Sequence, residues 1–151
     1  MFLEAALTEA RRAGRRGEVP IGALVVRDGA VLGRGYNRPI GSHDPTAHAE
    51  VVAIRQAARR LGNYRLTGSE LFVTVEPCLL CLGAILQARI GRVVYGAEDL
   101  KVRTLSGAEG LARYTGVNHH FEVRGGVLAE ESRALVREFF ARRRTRALET
   151  S

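Results

Sequence analysis

The sequence lacks several features that would place it at once among membrane or secreted proteins. It has no run of 18 or more apolar residues, so we expect no transmembrane helix. Its 151 residues include only two cysteines, which excludes a disulfide framework and favours a reducing compartment. The first residues carry Glu4 and Glu9 and no long apolar stretch, which is typical of an amphipathic helix rather than a signal peptide. We therefore expect a cytoplasmic protein.

Tryptophan is absent, and lysine is nearly so. Lys101 is the only lysine among 23 basic residues, and 16 acidic residues leave a formal net charge of 23 − 16 = +7. A positive balance of this size favours a polyanionic partner such as a nucleic acid. Arginine binds phosphate bidentately, but a preference for arginine also arises from coding bias. The composition does not separate these two causes.

Repeats, low-complexity segments and linkers are also missing. The length suits one domain over residues 1–151, and it is sufficient to bury a hydrophobic core.

Hydrophobic periodicity predicts alternating helices and strands. A helix over residues 1–17 precedes two strands joined by the hairpin turn Asp28-Gly29. Later helices are predicted after the segment 44–50, over 79–88 with a stop at Gly91, and over 130–148. Five strands are predicted, over residues 21–27, 30–36, 71–75, 93–95 and 121–124. This order predicts an α/β fold whose mixed sheet combines an antiparallel hairpin with parallel pairs.

Two short motifs carry most of the chemical information. Residues 44–50 read DPTAHAE and place Glu50 two positions after His48, whereas residues 76–81 read EPCLLC and contain Cys78 and Cys81. One imidazole and two thiols are enough for a zinc site with an open fourth position, which is the arrangement of catalytic rather than structural zinc. Glu50 is then a spare carboxylate beside the metal.

Each motif alone has a simpler explanation. A single His-x-Glu is common in helices, and a Cys-x-x-Cys pair can be a redox pair or two small buried side chains. The two motifs together favour zinc, because they hold both cysteines of the chain and a glutamate at the expected offset.

Helix geometry supports convergence of the two motifs. We place Pro45 and Pro77 in the first turns of two helices, where proline is tolerated. Two thiols three positions apart lie on one helix face, whereas His48 and Glu50, two positions apart, converge only on a site beyond a helix end. The prediction is a metal held between two helix N-termini, whose dipoles favour thiolate ligands.

Longer strings extend these motifs, and with them the chain resembles the bacterial tRNA-specific adenosine deaminases of the cytidine deaminase-like superfamily. The similar segments are EVPIGA at 18–23, YNRPI at 36–40, HDPTAHAE at 43–50, NYRL at 63–66 and RIGRVVYGA at 89–97. The resemblance implies a three-layer α/β/α fold with a five-stranded mixed sheet. It also implies one zinc ion held by His48, Cys78 and Cys81, with Glu50 moving protons.

The resemblance further implies a substrate, the wobble adenosine of a tRNA anticodon stem-loop, and a homodimer. Asn37 would hydrogen-bond the purine, the backbone N–H of Ala49 would face the base, and Asp99 would lie near the RNA. Asn37 can instead be a turn residue, and Asp99 a loop cap. Residues 102–107 depart from the family, because VRTLSG replaces a run of small residues near the expected mouth of the site.

Two other functions use the same motifs. A deaminase of a free base or nucleoside, of the guanine or cytosine type, would keep the zinc site and change the substrate. A non-catalytic zinc-stabilised RNA-binding module is disfavoured by Glu50, because a structural zinc site has four protein ligands and no use for a spare carboxylate.

Overall fold

The computed structural model describes residues 1–101, 103–106 and 119–150. Within these residues the chain forms five helices and five strands. The helices are α1 (Phe2–Arg15), α2 (Pro39–Ser42), α3 (Ala49–Leu61), α4 (Leu79–Ala88) and α5 (Ala129–Thr150). The strands are β1 (Gly22–Arg27), β2 (Ala30–Tyr36), β3 (Ser69–Val75), β4 (Arg92–Ala97) and β5 (Glu122–Arg124).

The strands form one mixed sheet in the order β2-β1-β3-β4-β5. β1 is antiparallel to both β2 and β3, whereas β3, β4 and β5 are parallel. Val75 pairs with Ala97, so the carboxyl ends of β3 and β4 meet at one edge of the sheet. The predicted α/β fold with a five-stranded mixed sheet is confirmed.

Helices cover both faces of this sheet. Along β1, Leu24 and Val26 belong to a core cluster with Leu3 and Ala6 of α1, whereas Ala23 and Val25 belong to a cluster that includes residues of α3 and α4. Successive strand side chains point to opposite faces, which accounts for this division. With α5 packed on β4 beside α1, the structure has the three predicted α/β/α layers.

Two glycines of β2 let α3 approach the sheet closely. A Cβ atom on Gly33 would lie 2.2 Å from the carbonyl oxygen of Ala53, and a Cβ on Gly35 would lie 2.2 Å from that of Ala49. Any larger residue would therefore push the helix away from the sheet. The first turn of α3, which follows His48, is positioned by this contact.

Several local predictions need correction. The short helix α2 was not predicted, and α4 ends with Arg89 in the left-handed conformation rather than at Gly91. Leu79 and Leu80, in the first turn of α4, are 57% and 43% exposed, although the rest of the helix buries most of its apolar side chains. None of the helices in the described part of the chain is long and apolar enough to cross a bilayer.

Candidate metal centre

The β3–α4 connection positions the two thiols. Glu76 continues the sheet by donating its N–H to the Ala97 carbonyl (2.8 Å), and Pro77, which has no N–H, ends the pairing. Cys78 is the N-cap of α4 in an extended conformation, and Cys81 lies in the first turn. The thiols therefore share one side of the helix start, with Cys81 buried and Cys78 half-buried.

His48 occupies the same position at the start of α3, where it is an extended N-cap. The prediction that the prolines lie inside the helices is wrong, since Pro45 and Pro77 both precede the N-caps. Pro45 belongs to a turn in which the Asp44 carboxylate accepts hydrogen bonds from the N–H and the hydroxyl of Thr46 (2.9 and 2.7 Å). Asparagine and aspartate commonly make such side-chain turns.

The three ligand atoms converge between the two helix starts. His48 Nδ1 lies 3.4 Å from Cys78 Sγ and 3.5 Å from Cys81 Sγ. In a tetrahedral zinc site, with bonds of about 2.0 Å to nitrogen and 2.3 Å to sulfur, that edge is about 3.5 Å. All three atoms lie within 4.8 Å of one another. The donor set and its spacing therefore fit zinc with a fourth position left open.

Ionisation of the thiols follows from their contact. A hydrogen bond from Cys81 lowers the pKa of Cys78 to about 4, while the same contact and burial raise the pKa of Cys81. The contacts with Cys81 and His48 therefore favour the thiolate form of Cys78. The N-termini of α3 and α4 add positive potential at this point.

Glu50 lies beside this cluster and is not part of it. Glu50 lies in the first turn of α3 and is only 4% exposed. Burial raises the pKa of its carboxyl. A carboxyl group in such surroundings takes up a proton more readily than a solvated one. The described ligand cluster contains His48, Cys78 and Cys81 without Glu50.

Asn37 and Ala49, both expected to contact a base, are joined to each other. Asn37 is buried at the end of β2, and its side-chain Oδ1 accepts the Ala49 N–H at 2.8 Å. This hydrogen bond connects the strand end to the first turn of α3, so Asn37 is more than a local turn residue. It also shows that the Ala49 N–H is engaged by protein in this structure.

Asp99 lies at the end of β4, at the same sheet edge as Cys78. Its carboxylate accepts the Lys101 N–H (3.0 Å), and its own N–H donates to Glu76 (3.0 Å). The first contact is that of a loop cap. In the segment 102–107, whose sequence departs from that of the family, the structure describes residues 103–106, whereas Val102 and Gly107 lie outside the described residues.

Glu76 is a site residue that sequence reasoning missed. It is 3% exposed, and its carboxylate accepts the N–H groups of Asp99, Leu105 and Ser106 (3.0, 2.6 and 2.7 Å) and the Ser106 hydroxyl (2.9 Å). Two positions before Cys78, this buried anion ties the loop after β4 to the metal centre. The sequence signal that could have identified Glu76 is a charged residue directly after the apolar strand β3.

This fold and this set of side chains define a zinc-dependent deaminase. Residues 1–97 match the family model for the cytidine and deoxycytidylate deaminase zinc-binding region. The chain is 45% identical over 143 residues to the tRNA-specific adenosine deaminase of Agrobacterium fabrum, covering 95% of this chain and 94% of that protein. It belongs to the tRNA-specific adenosine deaminase family, and one zinc ion is its cofactor.

Comparison with solved structures agrees with this family assignment. One, from a study of A-to-I editing by tRNA:A34 deaminases at the wobble position of transfer RNA, superposes with a TM-score of 0.85 at 45% identity, covering 89% of this chain and 97% of that one. A guanine deaminase from Bacillus subtilis superposes with a TM-score of 0.63 at 40% identity, covering 79% of this chain and 76% of that one. The deaminase fold is therefore shared by proteins with different substrates.

Proposed function

We propose that this protein, as one deaminase domain over residues 1–151, converts the wobble adenosine of a tRNA anticodon to inosine. The reaction is hydrolytic: adenosine and water give inosine and ammonia. The observation that carries the reaction type is Glu50, a buried carboxyl beside three zinc-type ligands that is not itself part of the cluster. The substrate is supported by the relatives named for tRNA and by the net charge of +7.

His48, Cys78 and Cys81 are the proposed zinc ligands. Zinc bound there supplies a Lewis acid that makes water reactive at neutral pH. Glu50 takes a proton from the attacking water and delivers protons to the purine ring and to the departing amino group. A carboxyl whose pKa is raised by burial accepts a proton from water more readily than a solvated one, and it can then pass that proton on.

Asn37, Ala49 and Asp99 are the proposed substrate contacts. The side-chain NH₂ of Asn37 hydrogen-bonds the purine edge, and Ala49, whose N–H is held by Asn37 Oδ1, lies beside the base. Asp99 lies on the loop that Glu76 holds at the mouth of the site. To reach this recess the adenosine must leave its stack, which favours an anticodon loop whose bases are already splayed.

A guanine-type deaminase is the second candidate, because a guanine deaminase shares 40% identity with this chain. The two functions separate in one assay of ammonia release from an adenosine-containing anticodon stem-loop, from the same RNA with inosine at the target position, from free guanine and from free cytosine. We expect release from the first substrate alone. Release from guanine or cytosine, with none from the stem-loop, would replace the proposed function.

We expect one zinc ion per chain in protein purified without added metal, because two thiols and an imidazole already lie at tetrahedral spacing. Elemental analysis measures this stoichiometry. Replacing Cys81 by Ser should lower the zinc content, whereas replacing Ser42, an exposed residue of α2, by Cys should leave it unchanged. Iron–sulfur absorbance, or apoprotein that zinc does not restore, would contradict the site.

We also propose a cytoplasmic homodimer. Two large hydrophobic side chains beside the metal centre are exposed, namely Leu79 and Leu80. Leu79 and Leu80 both lie in the first turn of α4, beside Cys78. A second copy of the chain covering this turn would bury them and enclose the site.

Replacing Leu80 by Arg should therefore convert a dimer to a monomer, because a charge at a buried interface is costly. Light scattering after size-exclusion chromatography measures the mass. The matched control is Leu148→Arg, which places the same charge on α5, on the other face of the sheet. A wild-type monomer, or a Leu80→Arg protein that stays dimeric, would contradict this interface.

The arginines near the end of α5 are expected to bind the RNA stem. Dipole complementarity alone explains them poorly, because α5 continues to Thr150 and its last turn contains no basic residue. Arg143 has a structural role, since it donates to the Gly17 carbonyl (3.0 Å) and lies 4.7 Å over the Phe139 ring. Its neighbours Arg142 and Arg144 are exposed.

Replacing Arg142 and Arg144 by Gln should weaken stem-loop binding and flatten its salt dependence by roughly one unit per lost contact, with the melting temperature nearly unchanged. Fluorescence anisotropy at several salt concentrations measures both quantities. Arg137→Gln on the same helix is the control. Unchanged affinity with a lower melting temperature would support the dipole explanation instead.

A further inference from the structure

Tyr36, the last residue of β2, lies among three arginines. The guanidinium carbon of Arg12 is 5.4 Å from the Tyr36 ring centroid, that of Arg16 is 5.5 Å away, and that of Arg38 is 5.0 Å away. Cation–π attraction accounts for each contact separately. It does not account for their convergence, because three like charges around one ring repel one another.

Protein carboxylates balance this charge only in part. Arg12 pairs with the buried Glu9 at 3.4 Å, whereas no ion pair within residues 1–101, 103–106 and 119–150 involves Arg16 or Arg38. Glu18 is close by, but its two oxygens accept the backbone N–H groups of Ile40 and Gly41 (3.1 and 2.8 Å). The cluster therefore keeps a net positive charge.

A cleft opens beside the ring. It has a volume of about 300 Å³ and is lined by Arg16, Glu18, Tyr36, Arg38, Gly41 and Ser42. Guanidinium groups carry five N–H donors in a planar fork that matches the oxygens of a phosphate. A cleft with two such groups and no ion-paired carboxylate for either is suited to an anion with several oxygens.

The cleft is connected to the metal centre through the backbone. Arg38 directly follows Asn37, so the two Cα atoms are about 3.8 Å apart. The Arg38 N–H donates to the carbonyl of Ala47 (3.0 Å), the residue before His48. The cleft therefore lies one residue along the chain from Asn37, the proposed contact of the purine.

We propose that Tyr36, Arg16 and Arg38 form a binding site for a backbone phosphate of the RNA, next to the nucleotide that enters the metal centre. This site rests on the proposed function, because it uses the RNA as its ligand. Tyr36 holds the guanidinium groups in place, and Arg12 adds positive potential while it stays paired with Glu9. The arginines contact phosphate and read no base, so this site contributes affinity and register rather than sequence selectivity.

The test is binding of an anticodon stem-loop to the zinc-loaded protein, measured by anisotropy over a range of salt concentrations. The variant is Arg16→Gln with Arg38→Gln; Arg12 is left unchanged, because its loss would strand the buried Glu9. We expect binding about tenfold weaker and a salt slope smaller by roughly 0.7 for each lost contact with unpaired RNA. Zinc content and melting temperature should match those of the wild type.

Arg27→Gln is the matched control. Arg27 ends β1 at the hairpin, five residues and roughly 17 Å along the strand from the Gly22 position that pairs with Tyr36. This variant should keep the wild-type affinity and slope. If the double variant and Arg27→Gln have the same affinity and slope, the phosphate site is overturned.

A second arm separates backbone phosphate from free phosphate. With adenosine monophosphate as the probe, the double variant and the wild type should bind equally, since a backbone site needs the RNA to present the group. An equal loss for the monophosphate and the stem-loop would assign the cleft to a free nucleotide and overturn the RNA site. Failure of the proposed function looks different: the wild type itself would neither bind nor deaminate the stem-loop.

Discussion

Replacing Glu50 by Gln is expected to lower the single-turnover rate of adenosine deamination by about 10²–10⁴-fold or more. General acid–base catalysis is typically worth that factor for one proton transfer, and Glu50 is proposed to serve several. Zinc should be retained, because the ligand cluster consists of His48, Cys78 and Cys81. The fold should also be retained, since the amide has the shape of the carboxyl and removes a charge from a residue only 4% exposed.

The measurements are inosine formation, zinc content and the melting temperature of the same sample. Glu70→Gln is a suitable control, because Glu70 is a part-buried glutamate near the start of β3 that pairs with Arg92 (3.0 Å), away from the strand ends that bear the site. A Glu50→Gln enzyme within a few-fold of the wild-type rate would remove Glu50 from proton transfer, and loss of zinc would make it a ligand.

Replacing Gly35 by Ala is expected to destabilise the protein by about 3 kcal/mol or more, at the upper end of overpacking effects. The new Cβ would lie 2.2 Å from the Ala49 oxygen and 2.7 Å from the Ala53 nitrogen, both backbone atoms of α3. This steric overlap is relieved only if α3 moves away from β2. Because Ala49 lies between His48 and Glu50, zinc affinity should fall as well.

Chemical denaturation and competition with a zinc chelator measure these two effects. Gly83→Ala is the matched control, because Gly83 is inside α4 and a Cβ there would have no neighbour within 4 Å. That change should stabilise the protein by about 0.5–1 kcal/mol, since alanine is the better helix former. A Gly35→Ala protein as stable as the wild type would show that α3 does not rest on β2 as described.

The chemistry of the centre could be predicted from the sequence, because it depends on residue types at short spacings. Cys78 and Cys81 lie on one side of a helix start, as three-residue spacing requires, and His48 meets them from a second helix. The hairpin at Asp28-Gly29 and the five strands follow from local patterns in the same way. Such predictions succeed where the determinant lies within a few residues along the chain.

The prediction that Pro45 starts a helix was wrong because two local rules compete there. Proline favours the first helical turn, whereas Asp44 before it and Thr46 after it favour a side-chain turn, and the turn is what forms. The exposure of Leu79 and Leu80 could not be predicted for another reason: a helix that is apolar nearly all round does not indicate which of its sides the rest of the chain covers.

Glu76 shows a different limit of sequence reasoning. Its four hydrogen bonds reach residues 23 to 30 positions further along the chain. No local pattern specifies such partners. They follow from the parallel pairing of β3 with β4, which brings the end of one strand next to the loop after the other.

Because His48 and Cys78 are both helix N-caps, the ion they share is also a cross-link between two parts of the backbone. The ligands are 30 residues apart, with the whole of α3 and β3 between them. Closing a loop of that length costs an unfolded chain about 3–4 kcal/mol of conformational entropy, comparable to the effect of a disulfide bond. In a reducing cell a metal can make this connection where a disulfide would not persist. The proposed zinc ligands would thus also hold two helices of one layer together, and we expect chelation to act on folding as well as on catalysis.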